Sequence, residues 1–153
     1  MTRPLRNGHE VLVFVFRKIG AGDEVLLAHR CRRLGGFWHS IAGGVEEGET
    51  DKQAARRELR EETGLTAEAL DPRRHSYSYS VIEEPPERRA LYRADVEHIS
   101  VSCFRVDAPA GWEPVPNWEH DDFRWCQIEE ALALLRWPAV SEALMALSRA
   151  SED

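Results

Sequence analysis

The chain has 153 residues, 42% apolar and 31% charged, which is the composition expected of one soluble globular domain. A domain this long buries roughly 68–70% of the surface its unfolded chain exposes, so it needs neither disulfides nor a structural metal to hold a core. Twenty basic against 27 acidic side chains give a formal net charge of −7, which disfavours binding to nucleic-acid polymers. A phosphate-bearing ligand would then require a local inversion of sign, and a divalent cation held by carboxylates is the usual means. The longest apolar run, Val11 to Phe16, is far short of the ~20 residues that cross a bilayer, and no leader-like segment precedes it. Cys31, Cys103 and Cys126 are odd in number and lack paired ligand spacing, so they read as reduced thiols filling a core. The expectation is a cytoplasmic protein with no membrane partner, monomeric or homodimeric.

Two β-branched and aliphatic runs, Val11 to Arg17 and Glu24 to Arg30, flank the glycine-containing stretch Lys18 to Asp23 and predict a hairpin. Phe37 to Ala42 reads as another extended piece leading into Gly43-Gly44 and an acidic loop. Thr50 with Gln53 three residues later forms a capping-box signature, and Gly64 supplies a stop, so Thr50 to Thr63 is predicted as a helix. His75 to Ile82 alternates Tyr77, Tyr79 and Val81 with serines, the period of a half-buried strand. Glu83 to Asp95, with Pro85-Pro86 and dense charge, reads as a mobile loop, and Glu97 to Val106 resumes strand character. Ala108 to Asn117 carries three prolines and reads as a loop. Phe123 to Gln127 is a short strand, and Ile128 to Leu135 and Ala139 to Ala150 are helices split by Trp137-Pro138. Strands and helices interleave, so an α/β domain with helices covering a mixed β-sheet is expected over residues 1–153.

Glu58, Glu61 and Glu62 fall at i, i+3 and i+4 of the predicted helix, with Cβ atoms only ~5–6 Å apart. Crowding three carboxylates on one face costs repulsion that a hard divalent cation offsets, since Mg²⁺ demands oxygen ligands and retains waters. Ala55 and Leu59, at i and i+4, are suited to anchor the opposite face inward. Arg57, one turn before Glu61, is placed to hold a carboxylate, and Gly43 permits close approach of backbone. The plainer alternative is a solvated helix whose glutamates pair with Arg56, Arg57 and Arg60.

The pattern Gly43-x5-Glu49-x7-Arg57-Glu58-Leu59-x-Glu61-Glu62-x-Gly64-Leu65 resembles, at each fixed position, the signature of the Nudix hydrolase family. Phe37-Trp38 ahead of it, and Glu119-His120 and Arg124-Trp125 after it, extend the likeness over most of the chain. The resemblance implies an α/β/α sandwich whose box at residues 43–65 binds Mg²⁺ or Mn²⁺ and hydrolyses a nucleoside diphosphate linked to another group. Carried onto this sequence, it makes Glu58 and Glu62 the core metal ligands, Glu61 a ligand or the water-activating base, and the Gly43 carbonyl a further ligand. Arg57 would orient Glu58 or Glu61. Glu119 is the candidate for an additional glutamate from outside the box, as ligand or base, against an ordinary loop carboxylate. Arg30 is a candidate phosphate contact, with a surface ion pair as its plainer reading. Trp38, Tyr77, Tyr79 and Trp125 are candidate base-stacking residues, although aromatics at strand spacing more often fill a core.

Substrate markers outside the box narrow the resemblance. The proline expected downstream in ADP-ribose pyrophosphatases would fall near Ser80 or Val81, and the tyrosine of the dinucleoside polyphosphate subgroup is replaced by Ile82 and Glu83. The coenzyme A pattern is only partly echoed by Leu26 to Arg30, and Ala42 stands where mutation-preventing relatives often have proline. What remains looks like the dATP or dihydroneopterin triphosphate pyrophosphohydrolase branch, so the expected partner is a small nucleoside polyphosphate. The alternatives are a dinucleoside polyphosphate hydrolase, a nucleotide-sensing module that binds without cleaving, and an isoprenoid diphosphate isomerase. The sensing and isomerase readings usually accompany a degraded box, and this box is complete.

Overall fold

The computed structural model describes residues 4–20, 22–67 and 69–148. Among these, the chain runs β1 (His9–Ile19), β2 (Gly22–Arg30), β3 (Trp38–His39), β4 (Ile41–Gly44), α1 (Asp51–Thr63), β5 (His75–Ser80) and α2 (Pro86–Arg89). It continues with β6 (His98–Asp107), β7 (His120–Gln127), α3 (Ile128–Leu134) and α4 (Pro138–Ser148). The expected end of the last helix at Ala150, and the ends of the expected domain, lie outside the described residues.

β1 is the centre of the sheet, which explains its unbroken apolar run. One edge pairs in parallel with β6 from His9 to Phe16. The other edge is shared: its first half pairs antiparallel with β4, and its last residues pair antiparallel with β2, giving the expected hairpin. β2 in turn pairs antiparallel with β7 and β3, while β5 pairs antiparallel with β6. The sheet is therefore mixed, with the order β3-β2-β1-β6-β5 and with β4 and β7 off that path.

Alternation along β1 sends Val11, Val13 and Val15 to one face and Leu12, Phe14 and Phe16 to the other, all of them fully buried. The first set packs with Leu26, Ala28, Ile41 and Phe104 beneath Ala54, Ala55 and Leu59 of α1. The second packs with Leu27, Ile99 and Cys103 beneath Ala131, Ala143, Leu144 and Leu147 of α3 and α4. These layers make the α/β/α sandwich expected from the sequence. Cys103 and Cys126 are the expected core fillers, but Cys31 is only half-buried.

Glu83 to Asp95, expected as a mobile loop, is a series of closed turns. Ser80 and Glu83 cap a 3₁₀ turn reciprocally, and Pro86 starts α2 with its φ already fixed. Glu84 accepts hydrogen bonds from the Tyr79 hydroxyl at 2.7 Å and from Arg88 Nε at 3.3 Å. Buried Tyr92 donates its hydroxyl to Glu10, and Arg89 Nε donates to the Glu84 carbonyl. Composition marked the segment as polar, but it could not show that Tyr92 and Glu84 had partners on β1 and β5.

Candidate metal and phosphate site

α1 is fixed by local chemistry at both ends. Thr50 Oγ1 accepts from the Gln53 amide and Gln53 Oε1 accepts from the Thr50 amide, while Gly64, at φ 84°, closes the C-terminus in the left-handed region. Leu59 and Ala55 point into the core, and this sets the rotation that brings Glu58 and Glu62 toward β4 and β7. Gly43 is needed here for space, since its φ is not left-handed: a Cβ would overlap the Glu58 carboxylate. The absent side chain leaves a cradle in which that carboxylate lies against the β4 backbone.

Arg57 organises the acidic rim. Its Nε and Nη2 grip both oxygens of Glu49 at 2.8 and 3.0 Å, a bidentate fork, and Nη2 also donates to the Gly44 carbonyl at 2.8 Å. Nη1 donates to Glu58 Oε1 at 2.8 Å and to Glu61 Oε2 at 3.4 Å. This guanidinium holds the Glu49 carboxyl below the usual carboxylate range. Sequence reading gave Glu49 no role, although its fixed spacing from Arg57 in the box was the available signal. Among the described residues, no three His, Cys, Asp or Glu side chains already stand as a ligand cage. Arg57 draws Glu58 and Glu61 toward itself instead.

Glu62 is different. It is 2% exposed, and apart from a carboxyl–carboxylate contact with Glu58 neither of its oxygens has a hydrogen-bond partner. Burial, then Glu58 and Glu119, push its pKa well above the carboxylate range, against the opposing pull of Arg30. Burial likewise raises Glu58, despite Arg57. A buried Glu62 beside a Glu58 whose only cationic partner among the described residues is Arg57 makes a pair of oxygen donors that a hard divalent cation would satisfy. Together with the Gly43 cradle, they fit such an ion.

The other expected residues divide by face. Arg30 lies on the α1 side with Leu26 and Ala28, where its charge acts on Glu62, His39 and His120. Glu119 lies close enough to raise Glu62. Asn117 positions it: Asn117 Oδ1 accepts from the Glu119 and His120 amides, while Nδ2 donates to the Glu61 carbonyl of α1 at 3.2 Å. Trp38 is not brought to this group. It pairs with His29 on the opposite face, meeting that ring edge-on at 5.0 Å and packing on the Leu12 and Phe14 cluster. Tyr77 and Tyr79 pack on the same cluster, and the Trp125 indole donates to Glu113 beneath Arg17.

The sequence also gave no separate role to His39 and His120, which line the α1 side of the sheet beside Arg30. His120 Nε2 stands 3.5 Å from Glu62 Oε1 without a hydrogen bond. Burial and Arg30 push His120 down to about 4, so the two groups face each other uncharged rather than as an ion pair. His39 is pushed down to about 3 by burial, Arg30 and His120.

The NUDIX domain family profile matches residues 7–147, from just before β1 into the last turn of α4. The chain belongs to the Nudix hydrolase family. It is similar to an octanoyltransferase of Myxococcus xanthus, 31% identical over 92% of this chain, but spans only 36% of that longer protein. It is also similar to a dihydroneopterin triphosphate diphosphatase of Haemophilus influenzae, 29% identical over 91% of this chain and 86% of that one. Among solved structures, the E. coli dihydroneopterin triphosphate pyrophosphohydrolase superposes with a TM-score of 0.77 at 26% identity, covering 95% of this Nudix chain and 98% of the other. Among the described residues of this Nudix protein, no helix is long and apolar enough to cross a membrane.

Proposed function

We propose that this chain is a divalent-metal-dependent pyrophosphohydrolase of a nucleoside triphosphate or of dihydroneopterin triphosphate, and that residues 1–153 act as one catalytic domain. The observation that carries the reading is the pairing of a Glu58 carboxylate seated against Gly43 with a buried Glu62 that has no partner other than Glu58. In this reading Glu58, Glu62 and the Gly43 carbonyl hold Mg²⁺ or Mn²⁺, with Glu61 or Glu119 as a further ligand. A bound divalent cation supplies charge neutralisation for the phosphoanhydride and acidifies the attacking water.

The remaining work falls to the chain. Arg57, anchored by Glu49, orients Glu58 and Glu61. Glu61, half exposed, and Glu119, held at the rim by Asn117, are the two carboxylates placed to take the proton from water. Arg30 contributes a fixed positive charge to the substrate phosphates on the α1 side. The likeness in sequence and fold to dihydroneopterin triphosphate pyrophosphohydrolases supports the substrate class.

The test is product identification with dATP, dihydroneopterin triphosphate, diadenosine tetraphosphate and ADP-ribose in Mg²⁺ and isotopically labelled water. Release of pyrophosphate from a triphosphate, lost in Glu62→Gln, is the expected result. Preferential cleavage of the dinucleotide would move the assignment to the dinucleoside polyphosphate class. Nucleotide binding without cleavage would make the chain a sensor.

A further inference from the structure

His120 occupies a position that its burial alone does not explain. It opens β7 opposite Arg30 of β2, and its amide is held by the same Asn117 that is tied to the Glu61 carbonyl, one residue from Glu62. Sheet register and an α1 staple therefore converge on the placement of this imidazole. Its side chain is fully buried, neither imidazole nitrogen has a hydrogen-bond partner, and the facing Glu62, 2% exposed, has none beyond its contact with Glu58. Leaving a buried polar group unpaired is destabilising, and native cores rarely tolerate it without a reason. A leucine of similar volume would fill the same space without that cost.

We propose that His120 is a positioning residue, which donates a hydrogen bond from Nε2 to Oε1 of Glu62 and so fixes that carboxylate with its second oxygen free for the cation. The inference rests on the metal-binding reading given above. An ionised carboxylate only accepts hydrogen bonds, and a neutral imidazole carries one N–H, so ionised Glu62 selects the Nε2–H form. The present 3.5 Å separation then needs only a small side-chain adjustment to reach the ~2.9 Å of an N–H···O bond. Direct ligation by His120 is the poorer use of this nitrogen, because it faces the carboxylate and because hard cations such as Mg²⁺ prefer oxygen.

Mn²⁺ titration followed by electron paramagnetic resonance, paired with urea unfolding of the metal-free chain, tests this on the wild type, His120→Leu and His120→Gln. Loss of an outer hydrogen bond to a ligating group typically weakens metal binding 10–100-fold, and that is expected of His120→Leu. Metal-free stability should be unchanged or higher, the opposite of what a purely structural histidine predicts. His120→Gln keeps an N–H at similar reach and should bind Mn²⁺ within about threefold of wild type. If His120→Leu does not fold, His120→Asn, whose amide falls short of Glu62, replaces it with the same expected loss. Wild-type affinity in the Leu or Asn variant, or equal losses in Gln and Leu, would overturn the proposal. A wild type that binds no Mn²⁺ would instead overturn the metal-site reading, and this proposal with it.

Discussion

Two charged or polar groups are buried in this molecule in opposite ways. Arg105, 3% exposed at the end of β6, has each guanidinium nitrogen bonded: it donates to Asp107, Asp23 and the Leu147 carbonyl, and its guanidinium lies 3.9 Å from the Phe16 ring centre. Glu62, equally buried on α1, faces His120 without a hydrogen bond to it and, among the described residues, has no cationic partner to satisfy its oxygens. The first arrangement ties β6 to the β1–β2 hairpin and to the end of α4. The second spends folding stability on a group that the fold does not use. A satisfied buried charge reads as structure, and an unsatisfied one reads as a place where something else binds.

Glu62→Gln should break that comparison most severely. It keeps the shape of the side chain but removes the charge the cation needs, so pyrophosphate release should fall on the order of 10³-fold. Urea unfolding of the metal-free variant should show no loss of stability. Arg105→Met does the reverse. It leaves Asp23 and Asp107 without their partner, and the urea midpoint should move by the equivalent of about 3 kcal/mol, while kcat of the folded fraction stays within a factor of two or so.

Gly43→Ala comes next in size. The new methyl displaces the Glu58 carboxylate, which sits at the flexible end of its side chain, so the fold should survive while kcat/KM for the pyrophosphohydrolase reaction falls roughly 100-fold. A variant with near-normal turnover would show that Glu58 need not lie against β4.

The smallest effect concerns pH. His39 is held neutral in the fold with its pKa pushed down to about 3, whereas an unfolded histidine titrates near 6.5. Its stabilising contribution is therefore complete above pH 6.5 and is lost as pH falls toward 3, because the unfolded chain takes up the extra proton. The slope is at most about 1.4 kcal/mol per pH unit, and His39→Phe should flatten it in urea titrations of the metal-free chain.

Legibility in the sequence followed the range of the interactions. α1, its capping box, its glycine stop and the inward face of Ala55 and Leu59 are local, and the sequence predicts them within a residue. The hairpin and the helix-covered mixed sheet follow from alternation and punctuation, whereas the three-layer sandwich came from the family resemblance. The box glutamates were legible because their spacing is helical. The presence of His120 beside Glu62 depends on the register of β7 against β2, which lies some ninety positions away in sequence and leaves no local trace. Trp38 illustrates the same limit: its place opposite His29, on the face away from α1, is set by the register of β3 against β2.

Diffraction from crystals grown with Mn²⁺, using its anomalous signal, tests the central claim most directly. The account predicts a peak bounded by Glu58, Glu62 and the Gly43 carbonyl, with Glu62 ionised and its oxygens satisfied. Crystals that show no such peak, with Glu58 still bound to Arg57 and Glu62 still facing His120 unpaired, would contradict it.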